Sequence, residues 1–241
     1  PFFFFLLRRY FKNARILRMD VDTTRAKDSH EKIYNAFKAR EADILIGTQM
    51  VSKGLDFPNV TLVGILAADM SLNLPDYRAA ERSFQIITQV AGRAGRGDKE
   101  GEVIVQTYTP EHYSLQYAKK YDYENFYEKE FTIRAMMGYP PFGRILLING
   151  SGKNEDELRK QMIYLGEKVK EKAEEFGGLE VLGPTPCIIY RINENYRWQI
   201  IVKGEFSSKF SKSIKDILYD KANNVYNDIR VSMDINPNSL S

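Results

Sequence analysis

Two spacings of apolar residues alternate along the first half of the chain. Residues 14–19 and the run Ile44-Leu45-Ile46 are short apolar stretches that read as buried strands. Between them, Ile33, Ala36 and Phe37 form a stripe at helical spacing. Glu31 stands three residues after Asp28, as in a capping box, so a helix begins near Asp28. A further strand is expected over residues 60–67, an irregular loop over 72–77, and a helix over 79–91 with Phe84, Ile87, Val90 and Ala91 on one face. Val103-Ile104-Val105 is the next strand. Strands alternating with helices predict an α/β arrangement, a parallel sheet covered on both faces, for residues 1–111.

From residue 112 to 138 the pattern becomes a single connecting helix, dense in Tyr, Phe and charge, which Gly138-Tyr139-Pro140-Pro141-Phe142-Gly143 ends. Beyond it come strand 144–150, helix 155–176, strands 179–182, 187–192 and 197–203, helix 207–222 and strand 230–235. Adjacent strands with two covering helices predict a small α+β domain over 139–241. The apolar run of residues 2–7, too short to span a bilayer, reads either as sequence foreign to the protein or as a buried strand. Arg8 and Arg9 follow it, where a signal peptide would carry them in front. With no starting Met, the sequence is expected to begin inside a longer protein.

Charge narrows the choice of partners. The net charge is +3, and residues 1–112 hold 16 Lys/Arg against 14 Asp/Glu, residues 113–241 19 against 18. Neither half is a basic arm, so nucleic-acid contact has to come from local placement of cations. The single cysteine, Cys187, excludes an intrachain disulfide and fits a reducing, cytoplasmic setting. One cysteine and two histidines, His30 and His112, build no four-ligand zinc site without carboxylates, and no metal site is expected in this chain.

Two segments carry chemistry. The first, Gln89-Val90-Ala91-Gly92-Arg93-Ala94-Gly95-Arg96-Gly97, closes the helix of residues 79–91. Arg93 and Arg96, three apart, aim two guanidiniums at one point, as is needed to neutralise charge on a transferring phosphoryl group. The alternative is a basic helix end bonded to its own last carbonyls. The second, Gly47-Thr48-Gln49-Met50-Val51-Ser52-Lys53-Gly54-Leu55-Asp56-Phe57-Pro58, follows a buried strand, where open parallel sheets bind ligands. Thr48, Gln49, Ser52 and Lys53 offer hydrogen bonds and a charge to nucleic-acid phosphates, and Asp56 an acceptor for a ribose hydroxyl. A loop that binds nothing is the alternative.

Together these segments resemble motifs VI and V of superfamily 2 helicases. The closer resemblance is to the primosomal protein N′ family. It is carried by Arg18-Met19-Asp20-Val21-Asp22-Thr23-Thr24, by Leu74-Pro75-Asp76-Tyr77-Arg78-Ala79-Ala80-Glu81-Arg82, by Gly138–Arg144, and by Val181-Leu182-Gly183-Pro184-Thr185-Pro186. The resemblance implies part of a RecA-like second helicase lobe followed by a small α+β C-terminal domain. It implies that Gln89, Arg93 and Arg96 are catalytic, with Arg96 the arginine finger. Gly54, Asp56, Arg93 and Arg96 would then meet ATP, and Thr48, Gln49, Ser52 and Lys53 DNA.

The family implies a monomeric, cytoplasmic 3′-to-5′ DNA helicase, which restarts stalled forks and assembles the primosome on forked or single-stranded DNA. Its partners would be single-stranded DNA-binding protein and other primosome proteins, with no membrane. ATP and magnesium would serve the intact protein, and zinc an insertion outside this chain. Neither a Gly-x-x-x-x-Gly-Lys-[Ser/Thr] phosphate loop nor an Asp-Glu-x-His segment occurs here. The chain alone is therefore expected to be inactive as an ATPase, and a non-catalytic DNA- or protein-binding module is the alternative reading. Within the C-terminal domain, Arg191, Arg197 and Trp198 flank the turn Asn193-Glu194-Asn195 and are expected to form a DNA-binding patch, with cross-strand packing the alternative.

Overall fold

The structure, a computed structural model, describes residues 2–20, 23–24, 29–48, 57, 59–92, 101–220 and 228–240. The chain forms two units. One comprises Pro1–Asn73 and Ala80–Tyr123; the other comprises Leu74–Ala79 and Glu124–Ser241. The division at residues 123 and 124, with a six-residue excursion at 74–79, differs from boundaries drawn at 111 and 138.

The first unit opens with helix α1 (Phe2–Tyr10), where a strand was expected. An unbroken apolar run carries no period to separate the two, and Arg8 and Arg9 sit well in the last turn of a helix, next to its free carbonyls. Strand β1 (Ile16–Met19) pairs in parallel with β2 (Ile44–Gly47), Ile16 opposite Ile44 and Met19 opposite Gly47. Helix α2 (Ser29–Lys38) joins them. Ile33, Tyr34 and Phe37 of α2 close over the buried side chains of Met19 and Phe57. Strand β3 (Leu62–Ile65) pairs in parallel with β4 (Glu102–Val105). Between these strands run the short helix α3 (Asp69–Leu72) and helix α4 (Ala79–Ala91).

Beyond β4 the expected single helix is two, α5 (Tyr113–Lys119) and α6 (Tyr123–Met137). The chain breaks at Tyr121, whose φ of 54° lies in the left-handed region. The loop after β4 is tied to the first residue of α3. Asp69 accepts from the hydroxyls of Thr107 and Thr109, each at 2.8 Å, and from the backbone N–H of Tyr108 at 2.9 Å.

The second unit is a four-stranded antiparallel sheet in the order β6-β7-β5-β8. Its elements are β5 (Arg144–Gly152), α7 (Glu155–Phe176), β6 (Glu180–Ile192), β7 (Asn195–Gly204), α8 (Ser208–Leu218) and β8 (Arg230–Ile235). This β-α-β-β-α-β succession places both helices on one face. Asn154 caps α7 through Asp156 N–H at 3.1 Å and Glu157 N–H at 3.3 Å. Leu158, Met162, Leu165 and Val169 then form one buried stripe. They pack on Leu146, Ile148, Ile200 and Val202 of the central strands and on Phe210, Ile214 and Leu218 of α8. Gly166 lets the edge strand come close, since a Cβ there would lie 2.7 Å from Pro184 Cδ. Strand β6 runs through Pro184 and Pro186 where two strands were expected. It lies at the edge of the sheet and is irregular at Leu182–Thr185 and Pro186–Arg191, which is where strands tolerate proline.

The opposite face of the sheet has a second, smaller core. Ile145 and Leu147 are buried there with Leu240, and Tyr77, Tyr139 and Ile201 pack against them. Tyr77 comes from the 74–79 excursion. Its ring stacks on Tyr139 at 5.7 Å, and the guanidinium of Arg134, fixed by Glu130 at 2.8 Å, lies 5.3 Å from its centre.

Candidate functional site

In the first unit the structure shows the approach to the two expected nucleotide and DNA segments. Thr48 lies exposed immediately after β2. Gln49, Ser52, Lys53, Gly54 and Asp56 fall outside the described residues, as do Arg93 and Arg96. Helix α4 buries Phe84, Ile87 and Ala91 and leaves Gln85 and Gln89 exposed on another side. Gln89 thus stands off the apolar stripe in the last turn, four residues before Arg93 in the sequence. Gly92 follows the helix directly, with its N–H on Thr88 O at 3.0 Å.

In the second unit the expected hairpin patch separates. Trp198 is 9% exposed and belongs to the core under α7 and α8. That placement corrects its expected role in an exposed stacking surface: it pairs across from Gly150, a position over which Met162 and Leu158 of α7 pack. Arg191 lies opposite Tyr196 with its guanidinium 4.9 Å from that ring. Tyr196 packs against the helix-side core, so Arg191 shares its face. Tyr190 donates to Glu155, and that bond pushes its phenol up to about 12. Arg197 points to the other, helix-free face, where Arg191 and Trp198 do not reach.

That helix-free face contains residues the hairpin reading missed. Ile145 and Leu147 project onto it, so Asn149 and Ser151, two and four positions on, do so as well. Strand pairing sets a polar row across all four strands: Thr185, Gln199, Asn149 and Ser232. The next row is Arg197, Ser151 and Arg230. With strands about 4.8 Å apart, the two arginines are anchored roughly 10 Å from each other with a serine between them. Gln199 is 9% exposed, and its Oε1 has no partner among the described residues. Cys187 sits beside this row with its Sγ 3.9 Å from Asn149 Oδ1. Burial pushes the thiol up, and the nearby Arg197 charge opposes that. The signal was present in the sequence as alternation: Asn149 and Ser151 between apolar neighbours in β5, Arg197 and Gln199 in β7, Arg230 and Ser232 in β8. Among the described residues no group of His, Cys, Asp or Glu is arranged to hold a metal ion, and no helix is long and apolar enough to cross a membrane.

Such a face, with cations spaced among amide and hydroxyl groups on a helix-backed sheet, suits a phosphodiester strand. Each unit matches a known family. Residues 4–98 match the helicase conserved C-terminal domain, and residues 135–238 match the primosomal protein N C-terminal domain. The two define the class: a RecA-like second helicase lobe joined to a primosomal C-terminal domain. The replication restart protein PriA of Bacillus subtilis is 45% identical over 234 residues, which are 96% of this chain and 29% of that protein. Its namesake from Synechocystis is 43% identical over 97% of this chain and 27% of its own length, and that from Haemophilus influenzae 34% over 98% and 32%. The chain belongs to this PriA family and spans less than a third of the length of these relatives.

Proposed function

We propose that the chain is the C-terminal part of an ATP-dependent 3′-to-5′ DNA helicase that acts in replication restart and primosome assembly. The observation that supports this best is helix α4. It runs between two parallel strands, keeps Gln89 exposed in its last turn, and leads through Gly92 into Arg93 and Arg96. In this reading Gln89, Arg93 and Arg96 face the nucleotide phosphates, with Arg96 stabilising charge on the transferring phosphoryl group. Gly54 and Asp56 adjoin the nucleotide, and Thr48, Gln49, Ser52 and Lys53 hold DNA phosphates. ATP with magnesium supplies the phosphoryl chemistry when bound. The phosphate loop, the magnesium ligands and a zinc-binding insertion belong to parts of the protein outside this chain.

The C-terminal unit then binds DNA on its helix-free sheet face through Arg197 and Arg230. Lys209 and Lys212, in the first turns of α8, offer cations for the acidic tail of single-stranded DNA-binding protein. By itself the 241-residue chain binds DNA without hydrolysing ATP, because its arginines have no phosphate-loop lysine or magnesium site to act with. The test is Arg96→Ala in the full-length protein: DNA-stimulated kcat falls about 10³-fold or more, the scale of arginine fingers, with ATP affinity less affected. Near-normal hydrolysis in that variant overturns the assignment.

A further inference from the structure

Among the described residues two buried side-chain atoms have no hydrogen-bond partner, Trp198 Nε1 and Gln199 Oε1. Trp198 belongs to the core beneath α7 and α8. Gln199, the next residue of β7, projects to the helix-free face. A buried carbonyl oxygen without a donor costs stability, and folded proteins leave few of them. Its retention on a face proposed to bind DNA is explained by a donor that arrives with the ligand.

Gln199 stands in the row Thr185, Gln199, Asn149 and Ser232. The row is exposed at both ends, half-buried at Asn149 and deepest at Gln199. It runs roughly 14 Å across the four strands. To one side, two residues or about 7 Å along the strands, lies the row of Arg197, Ser151 and Arg230. To the other side the face turns apolar at Leu147 and Ile201, where Tyr77, Tyr139 and Leu240 pack. The order across the face is therefore cations, amides, apolar cover. A strand with its phosphates on the arginines can turn its bases over the amides and no farther. Neither polar row has an aromatic side chain, so a base there is held by its edge and not by stacking. Each amide carries a carbonyl acceptor and an N–H donor, the two functions that the edge of a base complements. Among the described residues the Asn149 side chain is held only by the Cys187 thiol, a weak donor 3.9 Å away, so it swings aside at small cost and opens the way to its register neighbour.

We propose that Gln199, with Asn149 beside it, is a base-contacting site: its Oε1 accepts an N–H from the pairing edge of an unpaired base in the strand whose phosphates lie on Arg197 and Arg230. This deepens the reading of the helix-free face as DNA-binding and rests on it. Pairing edges are engaged in a duplex and free in a single strand, so the site takes single-stranded DNA.

The experiment titrates the 241-residue chain with a labelled single-stranded oligonucleotide and with an abasic strand of equal length, which keeps the phosphates and lacks the bases. Fluorescence anisotropy reads the affinities. The wild type is expected to bind the intact strand about fivefold or more tighter, the lower end for an amide bonded to a base edge. Gln199→Met keeps the size of the side chain and removes the orphan carbonyl. Its affinity for the intact strand should fall to that for the abasic one. Its melting temperature should match or exceed the wild type's, since no buried acceptor is left unpaired. Asn149→Ala should narrow the same difference. Equal wild-type affinity for the two strands overturns the base contact, as does a difference that Gln199→Met retains. A lower melting temperature for Gln199→Met shows the amide at work inside the fold and overturns it too. Should Arg197→Ala and Arg230→Ala leave binding of the abasic strand unchanged, the DNA reading of this face fails. Should they weaken it while intact and abasic strands bind alike, that reading stands and the base contact alone falls.

Discussion

Arg197 and Arg230 occupy the two strands that flank β5 and project on the same side of the sheet, with Ser151 between them. Both helices of the unit are on the other side. If this row holds a DNA strand, each arginine neutralises about one phosphate. Arg197→Ala and Arg230→Ala are each expected to weaken binding of a single-stranded oligonucleotide. Each should also make the dependence of log K on log salt shallower by roughly 0.7. Arg191→Ala, on the opposite face, should leave both quantities unchanged. Fluorescence anisotropy titrations at several salt concentrations check all three.

Trp198, buried under α7, gives a different expectation for spectroscopy. Its emission should be unmoved by DNA and should shift when the C-terminal unit unfolds. A DNA-induced change in the emission of this only tryptophan, in a protein that remains folded, would contradict its placement.

The α7 stripe sets the stability of that unit. Leu158→Ala removes a fully buried side chain against β5 and is expected to cost roughly 2–5 kcal/mol. Gly166→Ala drives a methyl onto the Pro184 ring and should destabilise as well, although alanine is the better helix former. Denaturant titration followed through Trp198 measures both.

Asp69 makes the first unit sensitive to acid. The N–H of Tyr108, with the hydroxyls of Thr109 and Thr107, holds its carboxyl down to about 2, against an ordinary value of about 3.9 in the unfolded chain. A depressed carboxyl stabilises the fold above its unfolded value and loses that contribution as pH falls through the folded one. Between about pH 4 and pH 2 the wild type should therefore lose stability relative to Asp69→Asn, whose side chain does not titrate. A constant difference between the two across that range would show that these bonds are not made.

A fragment of residues 139–241 lacks Asp76 and Tyr77, and with Tyr77 part of the cover over Ile145 and Leu147. It should melt at a lower temperature than the C-terminal unit within the whole chain, as differential scanning calorimetry of both would show.

Much of this was legible in the sequence because burial follows period. The stripe of α7, the alternation in β5 and β7, and the apolar face of α4 all appear as spacing before any coordinates. The arginines Arg93 and Arg96 among glycines suggest phosphoryl chemistry in the sequence, and both lie outside the described residues. Three things were not legible. The run at residues 2–7 has no polar residue to reveal a period. The prolines of β6 look like breaks until one knows that the strand lies at an edge. Finally, the pairing of Asp76 with Ser239 and Leu240 spans more than 160 residues, and no local pattern announces a contact at that separation.

The 74–79 excursion also bears on inheritance. A gene fusion or recombination joint at residue 123 would take Leu74–Ala79 from one parent and residues 134, 139 and 237–240 from the other. Asp76 accepts from Ser239 and Leu240, and Tyr77 stacks on Tyr139 and donates to Pro237 O, so such a hybrid keeps these contacts only where both parents carry matching partners. A library of chimeras crossed at that point should therefore yield stably folded C-terminal units chiefly from parents alike at these positions.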